Sequence, residues 1–326
     1  MCLADTITET LCPGSMKSTQ CLKITCPYHL PLPGHTPAPV RTKGWFYRPS
    51  DKRRLQRYFC HECHRSFSEA TVTLEYRQRK RRINEFLFTL LASNNSMRRS
   101  AIISRVTRKT VARRLSYFSK VAERYQENLL SALPALGKVH FDDMETSEHT
   151  KMKPLSIPIA VEHPSRLILS VDVARMPAKG LLAEKSRKKY GLRPDERAAA
   201  WRHVLGTVAR LALPEVVITT DSHKRYPQAI RRHLPHANHI QVKGRRGCVA
   251  GQGELKVGGW DPLFSLNHTA AMLRANICRL IRRTWCTTKK KDCLRQHIML
   301  YVMWHNETII AKQQGRARVF PFPKAA

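Results

Sequence analysis

Acidic residues are scarce in this sequence of 326 residues, which contains 24 Asp and Glu against 58 Lys and Arg. The formal net charge is therefore +34 at pH 7. Such a chain repels itself unless an anion is nearby, so we expect a polyanionic partner, of which nucleic acid is the commonest. The basic residues run through the whole chain and do not form one amphipathic helix, which disfavours a membrane surface as the partner.

Long hydrophobic runs are also missing. No apolar stretch reaches the roughly 18 residues that a membrane-spanning helix needs, and residues 1–10 lack the basic-then-apolar order of a signal peptide. Four of the ten cysteines have close metal-site spacings and the others are scattered, which favours a reducing compartment over a disulfide framework. We expect a cytoplasmic protein, and its apolar share of 42% is sufficient for a packed core.

Composition divides the chain into segments. The first 70 residues are rich in Pro, Cys and His, whereas residues 79–130 are basic, helical in pattern and free of Pro and Gly. Pro134 and Gly137 mark a boundary, after which strand and helix patterns alternate. We predict a Cys-rich region at 1–75, a helical domain at 76–133, a larger domain at 134–310 and a basic tail at 311–326.

The third segment is predicted to be an α/β domain with a mixed sheet and flanking helices. A Gly-rich stretch at 244–259 is predicted to be a long loop. The predicted strands are Lys138–Asp142, Ser156–Val161, Leu167–Val173 and Val216–Thr220, and the predicted helices are Pro194–Leu213, 261–284 and 291–305.

Two cysteine pairs stand out near the N-terminus, Cys21-x4-Cys26 and Cys60-x2-Cys63. Two knuckle-like turns that each supply two thiolates make the tetrahedral site of a zinc ribbon. A structural Zn²⁺ would then provide much of the folding free energy of this small segment. The alternatives are unliganded thiols in a small core, or replacement of a cysteine ligand by a nearby histidine. The rival histidines are His29, His35, His61 and His64.

The basic segment carries apolar residues at helical spacing, and Thr107 is placed to cap its last helix. Helix, turn and basic helix are typical of a helix-turn-helix, whose last helix lies in the DNA major groove. The alternative is a solvated basic face on an ordinary helical hairpin. The cations expected on the outward face are Arg108, Lys109, Arg113 and Arg114.

Two aspartates follow apolar strand patterns. Asp142 stands after Val-His-Phe, and Asp221 stands after Val-Val-Ile-Thr-Thr. Carboxylates at the ends of neighbouring strands can bridge two Mg²⁺ or Mn²⁺ ions for in-line attack at phosphate. Spacing alone is weak evidence, because a strand-terminal aspartate is often only a turn or capping residue.

Together these motifs resemble those of bacterial insertion-sequence transposases of the DDE superfamily. The ribbon end Arg57-Tyr58-x-Cys60-x2-Cys63-x3-Phe67 and the C-terminal run are the most family-like portions, and the resemblance covers about Cys21 to Asn306. The C-terminal run comprises Leu266-Asn267-His268-Thr269-Ala270-Ala271-Met272-Leu273-Arg274, then Arg279-Leu280-x-Arg282-Arg283-Thr284 and Thr288-Lys289.

The resemblance implies an RNase H-like fold in which Asp142 and Asp221 are the first two metal ligands. The third ligand, normally Glu on a later helix, falls on Asn267, whose amide oxygen can coordinate Mg²⁺ without adding charge. Glu254 in the Gly-rich stretch is the rival third carboxylate. Less suitable rivals are Asp143, Asp172 and Asp261.

The resemblance implies a transposase that cleaves transposon ends and joins the 3′-hydroxyl to target DNA. We expect a homo-oligomer in the bacterial cytoplasm, associated with the nucleoid, whose partner is double-stranded DNA. The alternatives are a DNA-binding protein without catalysis, such as a repressor or an inactive remnant, and a structure-specific nuclease. The cations expected to bind phosphates after the third ligand are Arg274, Arg282, Arg283 and Lys289.

Overall fold

The computed structural model describes residues 21–23, 25–29, 40–49, 52–243, 261–281 and 286–322. The chain forms two compact units, Met1–Phe88 with Phe320–Ala326, and Thr89–Val319. Several sequence-based predictions lie outside the described residues. They are the Gly-rich loop with Glu254, the cations Arg282 and Arg283, and the rival zinc ligand His35.

The first unit contains a small antiparallel sheet. Its strands β1 (Val40–Arg48), β2 (Arg53–Cys60) and β3 (Ser66–Ser68) pair in chain order, and the short helix α1 (Glu69–Val72) follows. Arg57 to Phe59 are part of a strand that leads into a tight turn at residues 61–63. Its core combines apolar side chains with cysteines: Cys21, Cys26, Val40, Tyr58, Cys60 and Phe67.

The basic segment forms helices α2 (Asn84–Ala92), α3 (Met97–Ile103) and α4 (Arg108–Ala132). Each of the last two begins at a side-chain cap: Ser96 accepts from the Arg99 amide at 3.2 Å, and Thr107 accepts from the Thr110 amide at 3.2 Å. These bonds satisfy amide groups that the first helical turn leaves unpaired. Helix α3 packs against α4.

The second unit is built on a mixed sheet. Strands β4 (Leu136–Ser147), β5 (Pro154–Glu162) and β6 (Ile168–Val171) are antiparallel to one another, and the short β7 (Ala174–Arg175) also pairs with β5. On the other side, β8 (Ala212–Asp221) and β9 (Asn238–Val242) run parallel to β4. The strand order is β6-β5-β4-β8-β9.

Helices cover both faces of this sheet. Helix α5 (Leu182–Tyr190) precedes α6 (Arg197–Leu211), which packs with α7 (Tyr226–His233) on one face. Helix α8 (Phe264–Asn276) packs on β4 and β5 without joining that core, so it covers the opposite face. Helix α9 (Lys291–Gln313) packs on β6 and on α4. Consistent with two covered faces, seven consecutive residues of β5 are buried.

Some predicted boundaries are wrong, because tertiary contacts decide them. The helix predicted at 261–284 ends at Asn276, whose carbonyl accepts from the Asn94 amide at 2.8 Å while Ile277 adopts an extended backbone. The helix predicted at 291–305 continues to Gln313, and Pro194 precedes α6 instead of lying in its first turn. No described helix is both long enough and apolar enough to cross a membrane.

Candidate active site and metal centres

Asp142 and Asp221 lie side by side in the sheet. Phe141 pairs with Thr220 in the parallel β4–β8 ladder. Asp142 and Asp221 are the next residues on these strands, so they are level with each other and point to the same face. The prediction that Asp142 ends its strand is wrong: β4 continues to Ser147, paired with β5. Asp142 instead marks the point where the parallel pairing of β4 with β8 ends, and Asp221 is the last residue of β8.

Hydrogen bonds hold both carboxylates. Oδ1 of Asp142 accepts from the Tyr226 hydroxyl at 3.0 Å and from the Asp143 backbone amide at 2.7 Å. Oδ1 of Asp221 accepts from the His223 backbone amide at 3.0 Å, in the turn that leads to α7. The turn before α7 and the first residue of α7 therefore donate hydrogen bonds to the two carboxylates, which orients them where the parallel pairing of β4 and β8 ends.

The electrostatics at this pair suit a cation. Burial, and then the neighbouring charge of Asp221, raise the pKa of Asp142 to about 6. Two carboxylates this close together repel one another, and a divalent ion between them would relieve that repulsion. Carboxylate oxygens are also the ligands that Mg²⁺ prefers, so the donor set fits the ion that the sequence predicts.

Asp143 is engaged by protein groups. The indole N–H of Trp201 donates to its Oδ1 and Oδ2 at 2.9 and 3.0 Å, and the Ser156 hydroxyl donates to Oδ2 at 2.8 Å. Burial raises the pKa of Asp143 to about 6, although those two donors act in the opposite direction. Because its oxygens are used in this way, Asp143 is better suited to anchor α6 to β4 than to bind a metal.

Asn267 lies in the first turn of α8 and is exposed. Its Nδ2 donates to Oδ2 of Asp261 at 2.9 Å, which leaves its Oδ1 directed away from that bond. Burial lowers the pKa of His140 to about 4, and the charge of Asp261 acts in the opposite direction. His140 is two residues before Asp142 on β4, and its ring stacks on that of His163, whose Nδ1 lies 3.0 Å from the Ser265 hydroxyl on α8. Helix α8 therefore packs on the face of β4 that carries His140.

The cations predicted after Asn267 differ in exposure. Lys289 is exposed in the segment before α9, whereas Arg274 on α8 is half-buried and has interaction partners. Thr288 beside Lys289 is buried and forms a bridge to Glu148 at the end of β4. The segment that carries Lys289 is therefore held against the sheet by Thr288.

On α4, Arg108, Lys109 and Arg113 are exposed, as the sequence predicts. Arg114 is buried, with 7% of its surface exposed, so the prediction that it faces outward is wrong. The reason is helical geometry, because position 114 lies next to the buried stripe that includes Val111 and Phe118.

The four cysteines come together in the first unit. Cys21 Sγ lies 3.4 Å from Cys63 Sγ, Cys26 Sγ lies 3.9 Å from Cys60 Sγ, and all four sulfurs are within 4.8 Å of one another. A tetrahedral zinc site with Zn–S bonds of about 2.3 Å separates its sulfurs by about 3.8 Å, so the cluster could hold a zinc ion. The rival ligands His61 and His64 instead contact the ring of Phe59.

Three residues at the aspartates were missed by the sequence reasoning: Tyr226, Trp201 and Ser156. Trp201 and Tyr226 follow no strand end or motif, and their rings pack 5.5 Å apart. The hydroxyl of Tyr226 is 84 residues from Asp142 along the chain, so no local pattern predicts the contact. A buried tyrosine or tryptophan usually needs a hydrogen-bond partner for its O–H or N–H group. This general preference is the signal that the sequence offers for these contacts.

No protein-family model matches the chain, and no curated protein matches its sequence. Among solved structures, the chain is similar to one described as the crystal structure of the Mos1 strand transfer complex. The TM-score is 0.22 and the identity 11%, over 70% of this chain and 77% of that one. A TM-score of this size does not define a fold.

Proposed function

We propose that this protein is a metal-dependent transposase that cleaves DNA at transposon ends and transfers the 3′-hydroxyl into target DNA. The observation that carries the proposal is the level placement of Asp142 and Asp221 on adjacent parallel strands. The mixed sheet with helices on both faces is compatible with the RNase H-like fold that the sequence resemblance implies. The surplus of positive charge supplies the attraction for DNA.

Asp142 and Asp221 would hold divalent metal, Mg²⁺ or Mn²⁺, with Asn267 as the third ligand. Bound metal supplies activation of the attacking oxygen and stabilisation of the leaving oxygen at a phosphodiester. Tyr226 keeps the Asp142 carboxylate in one orientation through its hydrogen bond. Asp261 holds the Asn267 amide nitrogen, so that the amide oxygen remains for the metal.

Recognition of the DNA ends is assigned to the first 133 residues. Helix α4 would act as the recognition helix of a helix-turn-helix, with its exposed cations Arg108, Lys109 and Arg113 directed at DNA. The cysteine cluster would hold structural zinc and stabilise the ribbon. Lys289 and Arg274 would contact phosphates near the aspartates. Since two ends must be joined, we propose a homo-oligomer that acts on DNA in the bacterial cytoplasm.

The test is a strand-transfer assay on labelled transposon-end DNA with Mg²⁺ or Mn²⁺. We expect Asp142→Asn and Asp221→Asn each to abolish cleaved and joined products. Glu215→Gln is the matched control, because Glu215 is an exposed carboxylate at the other end of the same strand as Asp221. Calorimetric titration of Mn²⁺ gives a second readout, in which only the two aspartate variants lose binding.

The outcomes separate the rival functions. Wild-type protein that binds DNA and Mn²⁺ and cleaves without joining would be a nuclease. Wild-type protein that binds DNA, but does not bind Mn²⁺ and does not cleave, would be a DNA-binding protein without catalysis. Products that persist in both aspartate variants would overturn the assignment of the active site.

A further inference from the structure

The β1–β2 hairpin of the first unit exposes two large aromatic rings. Trp45 is 61% exposed and Tyr47 is 57% exposed. In the part of the chain that the structure describes, neither side chain is engaged by another ring or by a hydrogen bond. Exposed aromatics of this size are costly in water unless a partner covers them.

The two rings share one face of the hairpin. They are two residues apart on β1, beyond the bulge between Thr42 and Trp45, so both point to the same side. Residues two apart on a strand are separated by about 6.6 Å. That separation accommodates one flat base between two rings, given a stacking distance of about 3.4 Å. Phe46, between them, points to the other side and is covered by Arg57 at 4.7 Å.

Cations surround these rings. Arg54 pairs with Tyr47 across the hairpin and is exposed, so its guanidinium lies on the same face as the rings. Residues 40–49 and 52–60 contain no acidic side chain, and their cations are Arg41, Lys43, Arg48, Lys52, Arg53, Arg54 and Arg57. The combination of stacking rings with cations that can bind phosphate is typical of surfaces that bind single-stranded nucleic acid.

Charge and geometry decide between the possible occupants. A second copy of this hairpin would bring like charges together, which disfavours self-association. In a duplex the faces of the bases are already stacked, so Trp45 and Tyr47 could not reach them. An acidic protein would satisfy the cations but would not offer a succession of flat rings.

We propose that the hairpin surface, formed by Trp45, Tyr47 and Arg54, binds unpaired nucleotides by stacking bases on the two rings while Arg54 contacts the phosphate backbone. This surface adds a single-strand site to the double-stranded DNA binding proposed above, and it requires neither the aspartates nor bound Mg²⁺. An enzyme that opens and joins DNA ends exposes unpaired bases, which gives such a surface a use.

The experiment measures binding of the full zinc-loaded chain to fluorescent oligodeoxynucleotides in Mg²⁺-free buffer. The two probes are a single strand of about 15 nucleotides, within the range of known site sizes, and a duplex of the same sequence. We expect Trp45→Ala and Tyr47→Ala each to weaken single-strand binding about tenfold, since stacking contributes about 1–3 kcal/mol per base. The affinity for the duplex should change by less than about twofold in the same variants.

Two variants make the comparison specific. Trp45→Phe keeps a stacking ring and should restore most of the single-strand affinity. Tyr76→Ala removes another exposed aromatic of the same unit, 49% exposed, and should have no effect. Tryptophan emission gives a direct readout, because the single strand should quench wild-type protein more than Trp45→Phe. Zinc content checks that each variant keeps the ribbon folded.

Three results would overturn the proposal. Equal losses on single strand and duplex would mean that the hairpin binds only the backbone. Unchanged single-strand binding in Trp45→Ala would exclude stacking on that ring. Quenching of the Trp45 emission by polyglutamate as strong as by the oligonucleotide would indicate a surface for acidic proteins. Single-strand binding is measured without Mg²⁺ and strand transfer with it, so failure of the catalytic proposal is measured separately.

Discussion

The hydroxyl of Tyr226 donates a hydrogen bond of 3.0 Å to Oδ1 of Asp142. Burial and the carboxylates of Asp143, Asp142 and Asp221 raise the pKa of Tyr226 well above its usual value, so the phenol remains protonated and a donor. Its ring packs edge-on against Phe141 and Trp201. The donor is therefore rigid, and it fixes one oxygen of the carboxylate that we assign to metal binding.

Tyr226→Phe keeps the ring packing and removes this donor. We expect the rate of DNA cleavage to fall about tenfold to a hundredfold, because a hydrogen bond to a charged group contributes about 1.5–3 kcal/mol. The measurement is the single-turnover rate with saturating DNA and Mg²⁺. Tyr301→Phe is the control, since it removes another buried hydroxyl, the acceptor of the Asn276 amide. An unchanged rate in Tyr226→Phe would show that the Asp142 carboxylate needs no such orientation.

The half-buried Asp143 carboxylate predicts a dependence of stability on pH. Its pKa is raised from 3.8 to about 6, so the folded state holds the proton more tightly than the unfolded state. Ionisation therefore costs folding free energy, beginning near the unfolded pKa and complete above about pH 6. In metal-free protein, Asp143→Asn should gain about 3 kcal/mol relative to wild type between pH 4 and pH 7, at about 1.4 kcal/mol per pKa unit.

The measurement is denaturant unfolding of both proteins across this pH range. Asp195→Asn provides a control of opposite sign. A side-chain hydrogen bond from Arg197 is the main cause that lowers the pKa of Asp195 to about 2. Wild type should therefore be more stable than Asp195→Asn at neutral pH and lose that advantage in acid. A free-energy difference between wild type and Asp143→Asn that stays constant with pH would contradict the prediction.

The cysteine cluster predicts about one zinc ion per chain, because four thiolates complete a tetrahedral site. Cys60 is fully buried in the cluster, so Cys60→Ser should lose the zinc and make the first unit sensitive to protease. Cys293→Ser is the control, because Cys293 lies in the second unit on α9. Elemental analysis and limited proteolysis give the two readouts. Native protein free of zinc would exclude a zinc site here.

The exposed cations of α4 predict a loss of duplex binding. We expect Lys109→Ala and Arg113→Ala each to weaken binding and to reduce the salt slope of the affinity by about 1, as loss of one phosphate contact does. Lys120→Ala is the matched control, because Lys120 is exposed further along the same helix. Fluorescence anisotropy at several salt concentrations measures both quantities. Equal salt slopes in all three variants would show that DNA does not contact Lys109 or Arg113.

Arg114 has a different expected effect. Because it is buried among the apolar residues of α4, Arg114→Ala should lower the thermal stability of the protein. Removal of a buried arginine leaves unfilled space, which typically costs about 1–3 kcal/mol. Calorimetry measures this change, and unchanged stability would contradict the packing of Arg114.

Local patterns allowed several features to be predicted from the sequence. The cap at Thr107 depends on residues within one turn, and four of the six strands of the mixed sheet, β4, β5, β6 and β8, follow short apolar runs. The short β7 and the more polar β9 were not predicted. The four cysteines could be chosen as one group because two close pairs of soft ligands are rare by chance. Asp142 and Asp221 could be selected because acidic residues are scarce and both follow apolar runs, but this pattern did not show that they are neighbours.

The amino-acid sequence by itself determined the positive charge, the caps, the strand runs and the spacing of the cysteines, because each depends on composition or on residues close in the chain. Only the tertiary structure decided that Asp142 and Asp221 are level in the sheet, that Tyr226 donates to Asp142 and that Arg114 is buried. These features depend on contacts between segments far apart in sequence, such as the 84 residues that separate Asp142 from Tyr226. Strand register and burial are set by the free energy of the whole packed core, which no local pattern contains.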